Sequence, residues 1–166
     1  MIIILKNNES LICDDFKFKC AIGKKGKTNN KKEGDKKTPI GTFRLGNLYY
    51  RSDRKKPPQT KLKCLKIQKN MGWCDDVNST KYYNKLIKIN KNFKFGYEKL
   101  YRKDKLYDYF IVINYNTKKT KINKGSAIFL HLTQNFKKTL GCIALKENDF
   151  LILLKIIDKN TKIKII

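Results

Sequence analysis

The chain has one histidine, four arginines and no cysteine pair at Cys-x-x-Cys spacing. A single imidazole without such a pair leaves too few ligands for a zinc site, so no metal is expected. The arginines are Arg44, Arg51, Arg54 and Arg102, among 39 basic and 14 acidic residues that give a net charge of +25. Lysine lacks the planar fork that reads phosphate and base edges, which argues against a specific nucleic-acid reader. Two accounts of the charge stay open: a solvated lysine-rich surface, or contact with a polyanion such as an anionic glycan. No stretch approaches the roughly 18 to 20 apolar residues of a membrane-crossing helix. The opening MIIILKNNES has no basic segment before its apolar run and reads as a strand and turn, not a leader. On that ground the expectations are cytoplasmic residence, a leader already removed, or export by another route. Five cysteines leave at least one unpaired. Cys13 and Cys20 are spaced to face each other across a hairpin, but spacing does not establish a bond. Free, buried thiols are the expectation, with the pairing of Cys13, Cys20, Cys64 and Cys74 left open.

What is present suits one folded unit. At 166 residues with 40% hydrophobic and 11% aromatic content, the chain is long enough for a real core. Tyrosine and phenylalanine are spread over its length, so residues 1–166 are expected to form a single domain. MIIIL and SLIC flank KNNE as a hairpin, and FKFKCAIG alternates apolar and basic residues as a half-buried strand does. The lysine-rich stretch 24–37, punctuated by glycine, is expected to be a mobile surface loop. TFRLGNLYY, KLKCLKI, YDYFIVINYN, SAIFLHL, GCIAL and TKIKII read as further strands. RSDRKKPPQT reads as a loop, because Pro57 and Pro58 stop a central strand. NMGWCDDVNSTKYYNK shows no period. KENDFLILLKIIDKN is the one convincing helix, with a stripe of Phe150, Leu151, Leu154 and Ile157. The fold class is mainly β, a β-rich α+β domain with one main helix near the C-terminus.

The chemistry gathers in AIFLHLTQNFKKTLGCIAL, which holds His131 and Cys142. A thiol nucleophile needs a base to make it a thiolate, and donors for the oxyanion it creates. His131 ends a strand, and Gly141 lets a substrate approach the backbone, so the Gly141 and Cys142 amides can face a carbonyl oxygen. The eleven-residue separation permits the pair without demanding it. A packed core histidine and a structural thiol remain the alternative. Trp73, Asp75 and Asp76 lie in an irregular segment. They would either line a groove, with aspartate accepting from an ammonium, or anchor their loop through turn chemistry. Tyr107 and Asp108 open a strand. Tyr107 is a candidate substrate contact, and Asp108 either orients His131, binds a diamino acid or is an exposed strand-end charge. Ser126 at the mouth of the histidine strand reads as turn chemistry rather than a nucleophile, with substrate contact as its functional alternative.

HLTQNFKKTLGCIAL resembles the signature of the L,D-transpeptidase (YkuD-type) catalytic domain, a histidine followed by Ser/Thr-x-Gly-Cys. GDKKTPIGTFRLG is similar to the Thr-Pro-x-Gly-x-Phe segment upstream in such domains, and GWCDD, LYDYFIVINYN and GSAIFLHL agree with a branch that carries the domain almost alone. The likeness runs in order from about residue 18 to the end. It implies a β-sandwich-like mixed sheet with the site at one edge. It implies Cys142 as nucleophile, His131 as general base, the Leu132 carbonyl as orienter of the ring, amides at Gly141 and Cys142 as oxyanion donors, and Thr139 at the Ser/Thr position. It also implies bacterial peptidoglycan peptide stems as donor and acceptor, no cofactor, and a periplasmic or cell-wall location. Transfer to an amine would give cross-links or exchanged D-amino acids. Resolution by water, as in an L,D-carboxypeptidase or endopeptidase, is the alternative, and a non-catalytic polyanion-binding module is the second. The sequence departs from the commonest motif at Leu140, where a second histidine is usual. Any proton relay through that position is lost, so donor specificity is expected to differ there.

Overall fold

Short apolar runs that alternate along the chain become a sheet that closes on itself. The computed structural model describes residues 1–166. Its elements are β1 (Ile2–Leu5), β2 (Ser10–Cys13), β3 (Phe16–Ala21), β4 (Lys27–Thr28), β5 (Thr38–Pro39), β6 (Gly41–Tyr50) and β7 (Cys64–Lys66). They continue with β8 (Met71–Cys74), β9 (Leu86–Lys88), β10 (Tyr97–Lys99), β11 (Tyr109–Ile113), β12 (Phe129–Leu132), β13 (Ile143–Leu145), α1 (Glu147–Ile156) and β14 (Lys162–Ile165). The main sheet runs β11-β12-β13-β3-β2-β1-β14-β6-β7, and β11 also pairs with β6. That extra pairing closes the ring, so the expected sandwich is one barrel-like sheet.

Period-two alternation sorts the strand residues between two cores. Leu130 and Leu132 of β12, with Tyr109, Ile111 and Ile113 of β11, enter a 25-residue cluster. Phe129, Phe110 and Val112 point the other way, into a second cluster with Trp73, Tyr107 and Cys142. The small sheet β10-β8-β9 carries Trp73 to this outer cluster. MGWC, aperiodic in the sequence, is therefore a strand after all: pairing with β9 and β10 supplies what local propensity does not.

Helix α1 seals the inner cluster with Phe150, Leu153 and Leu154, joined by Ile157 just past its end, all fully buried. The buried stripe uses Leu153, whereas Leu151 is only partly covered. Glu147 and Asp149 in the first turn complement the helix dipole. All five thiols are free. The register sets Cys13 opposite Phe16, and Cys20 opposite Leu145, so the two do not meet across the hairpin.

The stretch 24–37 is tied down and folds over the segment before Cys142. Gly23 bridges Thr139, and β4 pairs with β5. Two acids hold it among the lysines. Asp35 accepts from Lys31 Nζ at 2.5 Å and from the Lys32 and Lys37 amides, each at 2.9 Å. Glu33 Oε2 accepts from the Tyr83 hydroxyl at 2.5 Å and the Ser126 hydroxyl at 2.7 Å.

Candidate active site

Residues 133–142 carry the chain from β12 to its parallel neighbour β13. Leu130 lies opposite Ile143, so Cys142 falls beside Phe129, two residues before His131. His131 and Cys142 thus open on the same outer cluster, with Tyr107 between them and the small sheet. The Tyr107 ring packs edge-on against His131, 5.3 Å between centroids, and its hydroxyl donates to Glu98 Oε1.

His131 Nδ1 lies 2.8 Å from the Leu132 carbonyl oxygen. A carbonyl only accepts, so Nδ1 carries the proton and Nε2 holds the free lone pair. Every fully enclosed side-chain nitrogen or oxygen in the chain has a partner, and Nε2 has none. Nε2 is therefore the open end of the ring. Burial lowers the His131 pKa to about 4, with the positive charge of Arg102 adding to the effect. The Leu132 carbonyl and Asp104 oppose it.

The Cys142 thiol donates to the Ala127 carbonyl at 3.2 Å, and its sulfur accepts from the Phe129 amide at 3.3 Å. Burial pushes its pKa up to about 12, and the Glu98 carboxylate adds to the rise. Lys31 and Arg102 pull the other way. The resting pair is a neutral thiol and a neutral imidazole, not a preformed ion pair.

The turn before Cys142 is held by Thr139. Its hydroxyl donates to the Cys142 carbonyl at 2.6 Å and accepts from the Gly141 amide at 3.1 Å. The Gly141 amide is thus engaged within the turn, while the Cys142 amide donates to no other backbone group. Of the two amides expected to face an oxyanion, only that of Cys142 is left without a partner. Gly141 has φ +144°, and a Cβ there would lie 2.9 Å from the Lys37 carbonyl oxygen. Gly141→Ala is expected to cost about 2 kcal/mol of stability, read as a lowered urea midpoint with an unchanged m value.

The remaining candidates divide. Leu140 is 67% exposed at the mouth of the site. Trp73 is buried, donates from Nε1 to Asn84 Oδ1 at 2.9 Å and packs edge-on against Phe129, so it anchors its strand. Asp76 accepts from the Asn78 and Gly96 amides, which is turn chemistry. Ser126 is buried against Glu33. Asp108 is neither an exposed charge nor the orienter of His131: it is 1% exposed and paired with Arg54 at 3.0 Å. Tyr107 is buried as the wall behind His131. Asp75 joins two acids that carried no local signal, Glu33 and Glu98. Burial raises Asp75, with the charges of Glu33 and Asp76 adding to it, and burial likewise raises Glu98, whose neighbours include Asp75. Lys31, 5% exposed, is the other residue that sequence patterning missed.

A histidine on one strand and a cysteine just before its parallel neighbour, facing one cluster of a closed sheet, are the residue types that thiol-based acyl chemistry uses. The family model for the L,D-transpeptidase catalytic domain, YkuD, matches residues 2–165, and the chain belongs to that family. The family acts on peptidoglycan, which associates it with the cell wall, and its members are typically cysteine-dependent. Among solved structures, the chain is similar to the helical cell shape determining protein Pgp2 from Campylobacter jejuni, with 18% identity and a TM-score of 0.54 over 99% of this chain and 46% of that one. It is also similar to Bd1075 of Bdellovibrio bacteriovorus, with 14% identity and a TM-score of 0.50 over 99% and 47%. At these identities the likeness is one of fold, and the chain spans about half the length of either protein. No curated protein matches it significantly. No helix is long and apolar enough to cross a membrane.

Proposed function

We propose that the domain transfers acyl groups between peptidoglycan peptide stems through a thioester on Cys142. The observation that carries this is the His131 ring, held by the Leu132 carbonyl in the tautomer that leaves Nε2 basic and open, beside the strand that Cys142 precedes. On substrate binding the thiol turns from the Ala127 carbonyl and gives its proton to Nε2. The thiolate attacks the carbonyl carbon at the L-centre of a diamino acid, and the Cys142 amide donates to the oxyanion. The C–N bond to the D-amino acid breaks, and its amine leaves with the proton from His131. An acceptor amine then yields a proton to Nε2 and displaces the thiolate, forming a new amide. With the resting thiol near 12 and the imidazole near 4 the proton transfer is uphill by itself, so it is completed only as sulfur bonds to the carbonyl carbon and the Cys142 amide takes up the oxyanion charge. Glu98, whose charge acts on Cys142, and Asp75, whose charge acts on Glu98, are the acids that would receive the donor's free ammonium. Thr139 and Gly141 fix the turn; Tyr107 and Ser126 support the site from behind.

Incubation with purified muropeptides, with products read by mass, tests the reading. Cross-linked dimers or exchanged D-amino acids support transfer, shortened monomers support the hydrolytic alternative, and unchanged substrate defeats both. Leu140 offers a sharper check on specificity. Being exposed, it contributes little to stability, so Leu140→Ala should shift stability by less than about 0.5 kcal/mol. Its apolar side chain at the mouth is expected to contact donor, so kcat/KM for the stem should fall about tenfold. Urea unfolding and initial rates on the same preparation separate the two effects.

A further inference from the structure

Lys31 is the one lysine that the fold buries. Its Nζ donates to Asp35 Oδ1 at 2.5 Å and to the Lys32 carbonyl at 3.1 Å. The lysine side chain is 4% exposed and the aspartate 17%, so the positive end of the pair is the deeper one. Burial works to raise the Asp35 carboxyl, but the Lys31 hydrogen bond and the Lys32 and Lys37 amides hold it below its ordinary value. The pair is therefore ionic at neutral pH. Two glycines make room for it. A Cβ on Gly125 would lie 2.7 Å from Lys31 Cγ, and a Cβ on Gly141 would lie 3.7 Å from its Nζ. The lysine stem thus runs between the segment that leads into β12 and the turn that leads into Cys142.

Taking an ammonium out of water costs free energy that every other lysine of the chain avoids. What the buried position offers is a charge beside the sulfur. Both segments that flank Lys31 hold Cys142: the Ala127 carbonyl, two residues past Gly125, accepts from its thiol, and Gly141 precedes it in the chain. The proposed reaction places negative charge there twice, on the sulfur as its proton leaves and on the oxyanion that faces the Cys142 amide. Arg102, the other cation whose charge reaches the sulfur, is 32% exposed and paired with Asp104, so solvent screens it more. Glu98 acts with the opposite sign. We infer that Lys31 is a positioning residue: its ammonium, fixed by Asp35 against the Gly141–Cys142 turn, stabilises the negative charge that develops at Cys142 as the thioester forms. The inference rests on the acyl-transfer function above. It gives the stretch 24–37 a part in the chemistry as well as in covering the turn.

The test compares full-length wild-type protein with Lys31→Gln, which still donates to Asp35 without the charge, Lys31→Met, which removes charge and donor, and Asp35→Asn, which keeps the ammonium. Each is treated with iodoacetamide at one fixed pH, and alkylation is read by mass of tryptic peptides. Cys64, whose thiol is raised by burial alone, is the internal reference. Lys31→Gln and Lys31→Met should each lower the ratio of Cys142 to Cys64 labelling about tenfold, because less thiolate forms. Asp35→Asn should not lower it. A purely structural role has the opposite sign: loosening the 24–37 stretch uncovers the thiol and raises the ratio. Single-turnover acylation of Cys142 by a carbapenem should slow about tenfold in Lys31→Gln, with the half-saturating concentration unchanged. If either lysine variant fails to fold, the other decides. An unchanged or raised ratio in a folded lysine variant overturns the proposal. So does a fall in Asp35→Asn as large as that in Lys31→Gln, which would make the ion pair, not its charge, the operative feature. Wild-type protein that forms no acyl-enzyme overturns the acyl-transfer function instead, and the alkylation ratio still decides the role of Lys31.

Discussion

Cys142→Ala is expected to abolish stem turnover, by at least about 10⁴-fold, and to remove the mass increment of a trapped acyl-enzyme. No neighbouring group replaces the sulfur: the side chains around it are apolar, and the nearest charges are Glu98, Lys31 and Arg102. His131→Ala should cost about 10² to 10⁴-fold with the fold retained, because the ring is a proton carrier rather than the bond-forming atom. The choice of probe matters. A small thiol reagent reports on resting thiolate and exposure, and Cys142 is 8% exposed with its thiol pushed up to about 12. Cys64, the least buried of the five, should react with such a reagent first. A carbonyl substrate or a carbapenem should instead acylate Cys142 alone, since only there do a base and an oxyanion donor converge. Mass spectrometry of tryptic peptides after each treatment reads both orders. Carbapenem acylation at Cys64 ahead of Cys142, or full turnover by Cys142→Ala, would sink the assignment.

The His131–Cys142 segment draws attention locally, with one histidine at a strand end and a glycine followed by a cysteine within twenty residues. That spacing only permits a pair, and the resemblance to the family motif is what singles the two out. Strand positions were legible from alternation, and the helix from its stripe. Closure of the sheet was not, because the β11–β6 pairing joins segments some sixty residues apart and leaves no mark on either strand. The same distance hid the acids. Glu33 sits in a lysine-rich stretch that reads as loop, yet it binds Tyr83 and Ser126, fifty and more residues away. Asp108 looked like a surface charge because its partner, Arg54, lies in another loop. Local pattern exposes which side chains can do chemistry; long-range pairing decides which of them share a site.

A second large effect concerns pH. Burial holds His131 at about 4 in the folded chain, against about 6.5 in an unfolded one. The unfolded state therefore binds a proton between these values that the folded state refuses. The associated stability is fully present above about pH 6.5 and is lost as pH falls toward 4, reaching on the order of 3 kcal/mol. Glu98 and Asp75 oppose this slope: their raised values make protonation favour the folded state as pH falls. The wild-type curve alone is thus a sum of opposing contributions. Comparison with His131→Gln, whose amide still donates to the Leu132 carbonyl, isolates the imidazole. Urea unfolding of both proteins at pH 7 and pH 4 should show the stability gap shifting toward the variant by roughly 3 kcal/mol. The same pKa governs catalysis: kcat/KM should hold its level down to about pH 5 and decline only as Nε2 is protonated near 4. An acid limb centred near 6.5, with no difference in pH slope between the two proteins, would mean that the ring is solvated rather than buried against Tyr107, and the base would then lack the sheltered position that the proposed mechanism requires.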